Sequence, residues 1–167
     1  NLRPHTAGRQ LDLLADARVD GELVWSGRST YLRRGKPSSD TKPTNSVKSK
    51  HDKFDSSVAQ LRVPGDIGRK YGAVSGDRNP IHMYGLTAKA FGFPSAIAHG
   101  MWLKARTLAT LEGRVPDSYT VDVAFKTPVL LPSTVAVSTV SDSDGWLLDV
   151  RNVRSGKPHL SGSIAKQ

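Results

Sequence analysis

The stretch SGDRNPIH, residues 75–82, sets a carboxylate (Asp77), an amide (Asn79) and an imidazole (His82) close together in the chain. A carboxylate beside an imidazole can hold one water between an acceptor and a proton-transfer group, a common way of activating it. Asn79-Pro80 also reads as a helix start, since asparagine caps and proline suits the first helical position. Asp77 then sits in the loop and His82 in the first turn, where both side chains can face one cleft. The helix start adds unpaired backbone N–H groups and a positive partial charge. The same residues also make an ordinary capped turn with a surface histidine, and residue types alone leave both readings open. A second stretch, AIAHGMWLK (96–104), puts His99-Gly100 at the start of a longer helix. There a glycine lets a ligand approach, and its N–H can polarise a carbonyl oxygen; close helix–sheet packing explains the glycine equally well.

The elements that must position these groups follow from periodicity and turn residues. Ile81, Tyr84, Ala88 and Phe91 recur at helical spacing after Pro80, and Gly92 ends the run. A longer helix is expected from 97 to 112, with Met101, Ala105 and Leu108 on one stripe and Gly113 as the stop. Between Ala59 and Asp77 the chain reads as a short extended piece followed by glycine-punctuated turns. Strand-like segments follow at 119–129, 133–141, 145–153 and 159–165, with turns marked by Pro128, Pro132, Asp144-Gly145 and Ser155-Gly156. One long helix and an antiparallel meander define an α+β domain with the helix on one sheet face. Near the amino end, 10–19 and 22–34 form a hairpin about Asp20-Gly21. Residues 35–57, rich in lysine, serine and proline, have the composition of a flexible linker. The hairpin echoes 140–165 in its order of strand, Asp-Gly turn and tryptophan-bearing strand. It reads either as the closing strands of an earlier copy of the domain or as a chance similarity. The chain opens at Asn1 in what looks like the inside of a domain, so further sequence is expected upstream.

Composition narrows the function classes. A chain of 167 residues is long enough for one domain with a proper core and short for two complete ones, which leaves one domain, or one domain and a fragment of another. The formal charge of +9 calls for anionic partners, among them nucleic acid, acyl carriers and coenzyme phosphates. The basic residues are scattered, with no arginine-rich helix, which argues against nucleic acid. The absence of cysteine excludes disulfides and thiolate chemistry and fits a reducing compartment. Lacking a membrane-length apolar run or a secretory leader, the chain is expected to be cytoplasmic. His5, His51, His82, His99 and His159 show no metal-ligand spacing, so a metal-free site is expected.

YGAVSGDRNPIHMYGLTA (71–88) resembles the hydratase 2 motif of the MaoC-like dehydratases, the (R)-specific enoyl-thioester hydratases, and FGFPSAIAHGMWL (91–103) resembles the segment after it. The likeness covers residues 58–167. It implies a hot dog fold, an antiparallel sheet wrapped around a long central helix. It also implies reversible syn hydration of trans-2-enoyl thioesters to (R)-3-hydroxyacyl thioesters of coenzyme A or acyl carrier protein, in fatty-acid metabolism. By position, Asp77 and His82 become the catalytic dyad, Asn79 orients it, and the Gly100 N–H becomes the donor to the thioester carbonyl. His99 takes an orienting or packing role, because the dyad already accounts for the proton transfers. Phe91, Phe93, Ile97, Met101 and Trp102 are candidates for an acyl tunnel, and each can equally be core. No cofactor is implied. RPHTAGRQLDLLADARVDGELVWSGRSTYLRR resembles the last strands of the non-catalytic first repeat in double hot dog dehydratases. Pairing with a second repeat or subunit, as in a homodimer, is therefore expected. The alternatives are a hot dog acyl-thioesterase and a non-catalytic thioester-binding subunit.

Overall fold

The computed structural model describes residues 2–5, 8–35 and 58–166, so nearly all of the expected linker lies outside the described residues. The chain divides into two compact units, Asn1–Lys50 and His51–Gln167. The first holds a three-stranded antiparallel sheet of β1 (Leu2–His5), β2 (Gly8–Val19) and β3 (Glu22–Arg34), in that spatial order. Asp20 (φ 49) and Gly21 (φ 86) both take the left-handed conformation. A two-residue type I′ turn requires this to match the twist of its strands. The Arg18 guanidinium donates to the Gly21 carbonyl at 3.1 Å.

The second unit runs β4 (Val58–Val63), α1 (Ile67–Ser75), α2 (Pro80–Met83), α3 (Gly85–Ala90), α4 (Gly100–Ala109), β5 (Tyr119–Phe125), β6 (Ser133–Asp142), β7 (Gly145–Asn152) and β8 (Pro158–Lys166). Its strands pair antiparallel in the order β4-β6-β7-β8-β5. Alternate residues of the sheet, among them Val135, Val137, Leu148, Val150, Leu160 and Ile164, share one buried cluster with Leu103 of α4 and with Leu111. This is the α+β hot dog arrangement that the sequence led us to expect. Among the described residues, no helix is long and apolar enough to cross a membrane.

Several elements differ from expectation for identifiable reasons. The central helix begins at Gly100 rather than 97, because the backbone at Ala96–Ala98 is bound instead to the strip 129–131. Ala98 N–H donates to the Val129 carbonyl (2.9 Å) and Leu131 N–H to that of Ala96 (2.8 Å). Its buried face carries Leu103 and Thr107, continued by Leu111, whereas Met101 is exposed. Thr107 can be buried because its hydroxyl donates back to the Leu103 carbonyl at 2.8 Å, which leaves no orphaned polar group. The helix expected after Pro80 is broken at Tyr84, an extended residue (φ −142, ψ 146). The Thr87 hydroxyl donates to the Pro80 carbonyl at 2.6 Å, occupying the acceptor that a continuous helix would offer to the Tyr84 N–H. The stretch read as turns contains α1, whose interior glycines Gly68 and Gly72 depress helix propensity by about 1 kcal/mol each.

Candidate active site

The loop between α1 and α2 is built by short-range hydrogen bonds that fix Asp77. Gly76 ends α1 in the left-handed conformation (φ 77), its N–H donating to the Gly72 carbonyl at 3.1 Å. Asp77 N–H donates to the Ser75 hydroxyl (3.2 Å), and Asn79 N–H to Asp77 Oδ1 (3.1 Å). One carboxylate oxygen is therefore engaged by the main chain, while the side chain remains about half exposed (55%). Asn79 caps α2, accepting at its own Oδ1 from Ile81 N–H at 3.4 Å.

α2 carries His82 to the segment before α4. Ile97 N–H donates to the Ile81 carbonyl (3.1 Å), and His82 Nδ1 lies 2.8 Å from the Ile97 carbonyl. A carbonyl can only accept, so Nδ1 carries the proton and Nε2 is left with a bare lone pair. Burial pushes the His82 pKa below its ordinary value of 6.5, with His99 adding to the shift and the Ile97 carbonyl and Asp77 opposing it. His82 is thus a neutral base at pH 7.

His99, the N-cap residue of α4, is 3% exposed and stacks on His82 with ring centroids 3.7 Å apart. Its Nε2–H donates to the Asp77 backbone carbonyl at 2.9 Å and lies 3.7 Å from Asp77 Oδ2. That bond ties the Asp77 loop to the start of α4 across 22 positions of sequence. Tyr71, from α1, stands with its ring centroid 5.0 Å from that of His99.

Two glycines make the assembly possible. A Cβ on Gly68 would stand 1.9 Å from the His82 carbonyl oxygen, and one on Gly72 would stand 2.8 Å from both the Asp77 carbonyl oxygen and Met83 Cε. The backbones carrying Asp77 and His82 therefore rest directly on α1.

Two pockets meet at His82, His99 and Gly100. One, of about 290 Å³, continues along Ile97, Leu103, Phe125 to Val129, and His159. The other, of about 200 Å³, is closed by Tyr71, Ser75, Asp77 and Met101. Gly100 is the first residue of α4, where first-turn N–H groups have no acceptor within the helix. Of the five apolar candidates, Ile97 and Met101 line these pockets. Phe91 is exposed at the end of α3, Phe93 is half-buried away from both, and Trp102 packs against the core. Leu103, Phe125, Val129 and His159 line the larger pocket without having been anticipated from sequence; Phe125 and His159 looked like ordinary strand residues.

Linear spacing offered no metal site, yet the fold gathers Asp77, His82 and His99 with one potential ligand atom each, all within 4.8 Å of one another. The geometry fits a metal poorly. The two rings are stacked at 25°, so their lone pairs run nearly side by side instead of converging as a tetrahedral site requires. His99 Nε2 is also already committed to a carbonyl.

Fold and site together define a hot dog domain of the MaoC-like type. A MaoC like domain model matches residues 44–162, and the chain belongs to that family. It is 38% identical over 164 residues, 98% of its length, to 3-hydroxyacyl-thioester dehydratase X of Mycobacterium tuberculosis. The chain spans 58% of that protein. A crystal structure of HtdX from the same organism superposes with a TM-score of 0.76 at 36% identity, covering 100% of this chain and 64% of that one. At the level of fold alone, the (R)-hydratase PhaJ1 of Pseudomonas aeruginosa is similar with a TM-score of 0.55 at 24% identity, covering 66% of this chain and 78% of its own.

Proposed function

We propose that this chain catalyses the reversible syn hydration of trans-2-enoyl thioesters and the dehydration of (R)-3-hydroxyacyl thioesters, carried on coenzyme A or acyl carrier protein in the cytoplasm. The observation that carries this reading is the meeting of a carboxylate, a neutral imidazole with bare Nε2 and a helix-start amide at one pair of pockets. Water held between Asp77 and His82 Nε2 adds through oxygen to C3, and the proton it gives up is returned to C2 on the same face. The negative charge that develops on the thioester oxygen is met by the Gly100 N–H, a type of donor worth about 3–4 kcal/mol in other enzymes. Asn79 and His99 position the dyad, the first through the α2 cap and its N–H to Asp77, the second through the Asp77 carbonyl. Addition of water is redox-neutral and needs no redox cofactor. The name of the mycobacterial relative, a 3-hydroxyacyl-thioester dehydratase, supports the same chemistry.

In this reading residues 58–167 form the catalytic domain and 1–34 the closing strands of another hot dog repeat, joined by a linker at 35–57. The exposed Leu14, Val24 and Trp25 of β2 and β3 support the second part, because an isolated three-stranded sheet leaves such side chains uncovered. The test is loss of enoyl absorbance from crotonyl-CoA and longer homologues. Asp77→Asn should lower kcat by roughly 10²–10⁴-fold at unchanged melting temperature, and an active, folded Asp77→Asn would sink the dyad. Release of free thiol in place of hydration would instead assign a thioesterase.

A further inference from the structure

The larger pocket contains a second histidine that the dyad does not use. His159, on β8, is 4% exposed. Its Nδ1 lies 2.9 Å from the Thr127 backbone carbonyl and must donate to it; in the neutral ring the opposite nitrogen, Nε2, is then a bare acceptor. Nε2 is fully buried and has no hydrogen-bond partner among the described residues. An acceptor left in that state costs about 1–3 kcal/mol. The Thr127 hydroxyl adds to the rigidity of the arrangement, since it donates to the Pro158 carbonyl and lies 3.2 Å from His159 Nδ1. The ring cannot turn to relieve Nε2 without breaking its bond to Thr127.

His159 lines the same pocket as His82 and Gly100. Resting on the thioester reading above, we infer that His159 Nε2 is the acceptor for the first amide N–H of the carrier's pantetheine arm. Ile97, Leu103, Phe125 and Val129 give the pocket an apolar stretch of wall, beside Lys126 and Thr127. Beyond the reacting atoms a hydrocarbon acyl chain has no donor to offer Nε2, and laying methylenes against it would leave the acceptor unsatisfied. Every coenzyme A or acyl-carrier thioester does carry an amide N–H, two carbons beyond the sulfur that adjoins the carbonyl at Gly100. His159 therefore decides which end of the thioester lies on this side of the site. Nε2 itself is buried, so admitting the amide requires a shift in the surrounding wall, which includes the half-exposed Phe125 and Lys126.

The experiment compares S-crotonyl-N-acetylcysteamine with its oxygen isostere, in which the amide N–H is replaced by an ester oxygen. The protein should prefer the amide about tenfold in kcat/KM, and in His159→Leu the preference should shrink to within about twofold. Equal rates for the two compounds in the unsubstituted protein would overturn the inference without touching the hydratase reading. Loss of all turnover of crotonyl-CoA would instead refute that reading. Binding of the unreactive S-butanoyl pair, followed by the ¹⁵N resonance of His159 Nε2, is independent of both turnover and variant folding. The amide compound should move that resonance and the ester should not. An unmoved resonance, or one moved only by a thioester bearing a hydroxyl on its acyl chain, overturns the assignment.

Discussion

Gly68→Ala should disable the site by displacing His82, although residue 68 bears no reactive group. The added Cβ would stand 1.9 Å from the His82 carbonyl oxygen and 2.8 Å from its carbonyl carbon. Restoring an ordinary contact takes a shift on the order of 1.5 Å, and the atoms that must move are backbone on both sides. Overpacking of this kind costs about 1–3 kcal/mol, so the melting temperature should fall by several degrees. The catalytic loss should be larger than the stability loss implies. A misplacement of about 1 Å at a reacting group costs on the order of 100-fold, and His82 rides on the backbone that is pushed. Crotonyl-CoA hydration measured beside thermal melts separates the two effects, with Gly65→Ala and Gly85→Ala as controls. A Cβ at either control position meets nothing closer than 3.9 Å, so both should keep their activity. A Gly68→Ala protein within about threefold of the original kcat/KM and unshifted in melting temperature would refute the view that α1 is the seat of the dyad.

His82 gives a pH signature. Its pKa is lowered mainly by burial, so the neutral form persists below the ordinary value of 6.5 and the acid limb of kcat/KM should fall under pH 6.5. Because the folded pKa is depressed, the stability contribution of the neutral ring is complete above 6.5 and is lost as pH falls through the folded value; His82→Gln should flatten that part of a stability–pH curve. At Gly100 a Cβ would meet the Phe125 ring at 3.1–3.3 Å, so Gly100→Ala should lower kcat/KM by crowding the pocket while keeping the amide, and adding Phe125→Leu should restore part of it. Asn79→Ala removes the α2 cap and should cost about 1 kcal/mol in denaturant melts, together with a fall in kcat that Asn79→Asp, which can also cap, partly recovers.

The fold was legible where one signal dominated. Asp20-Gly21 demands a left-handed turn, and alternating valines mark β6. The loop–helix start at Asn79-Pro80 was legible for the same reason, since cap and proline act within a few residues. What could not be read depended on partners distant in sequence. α1 looked like turns because Gly68 and Gly72 lower helix propensity, and their purpose appears only when α2 is laid against them. Thr107 looked like a break in the apolar stripe until its hydroxyl found the Leu103 carbonyl. The start of α4 was misplaced because residues 96–98 bond to 129–131, a pairing with no local trace.

The three histidines whose side chains line the pockets share one device, and it links the glycines to the chemistry. His82, His99 and His159 each give one ring N–H to a backbone carbonyl, of Ile97, Asp77 and Thr127 respectively. The bonded nitrogen of each ring is thereby fixed as a donor by the main chain, and the ring's position follows the backbone rather than a neighbouring side chain. Substituting nearby side chains should leave the proton positions alone, whereas shifting a carbonyl should alter them. The Asp77 carbonyl that holds His99 is the atom a Cβ on Gly72 would crowd, and the carbonyl of His82 itself is the one a Cβ on Gly68 would strike. Gly72→Ala should therefore perturb the His99 ring although neither Asp77 nor His82 is substituted. Histidine ¹⁵N spectra check this: a displaced His99 Nε2–H resonance is expected, and an unaltered one would break the link between α1 and the site's tautomers.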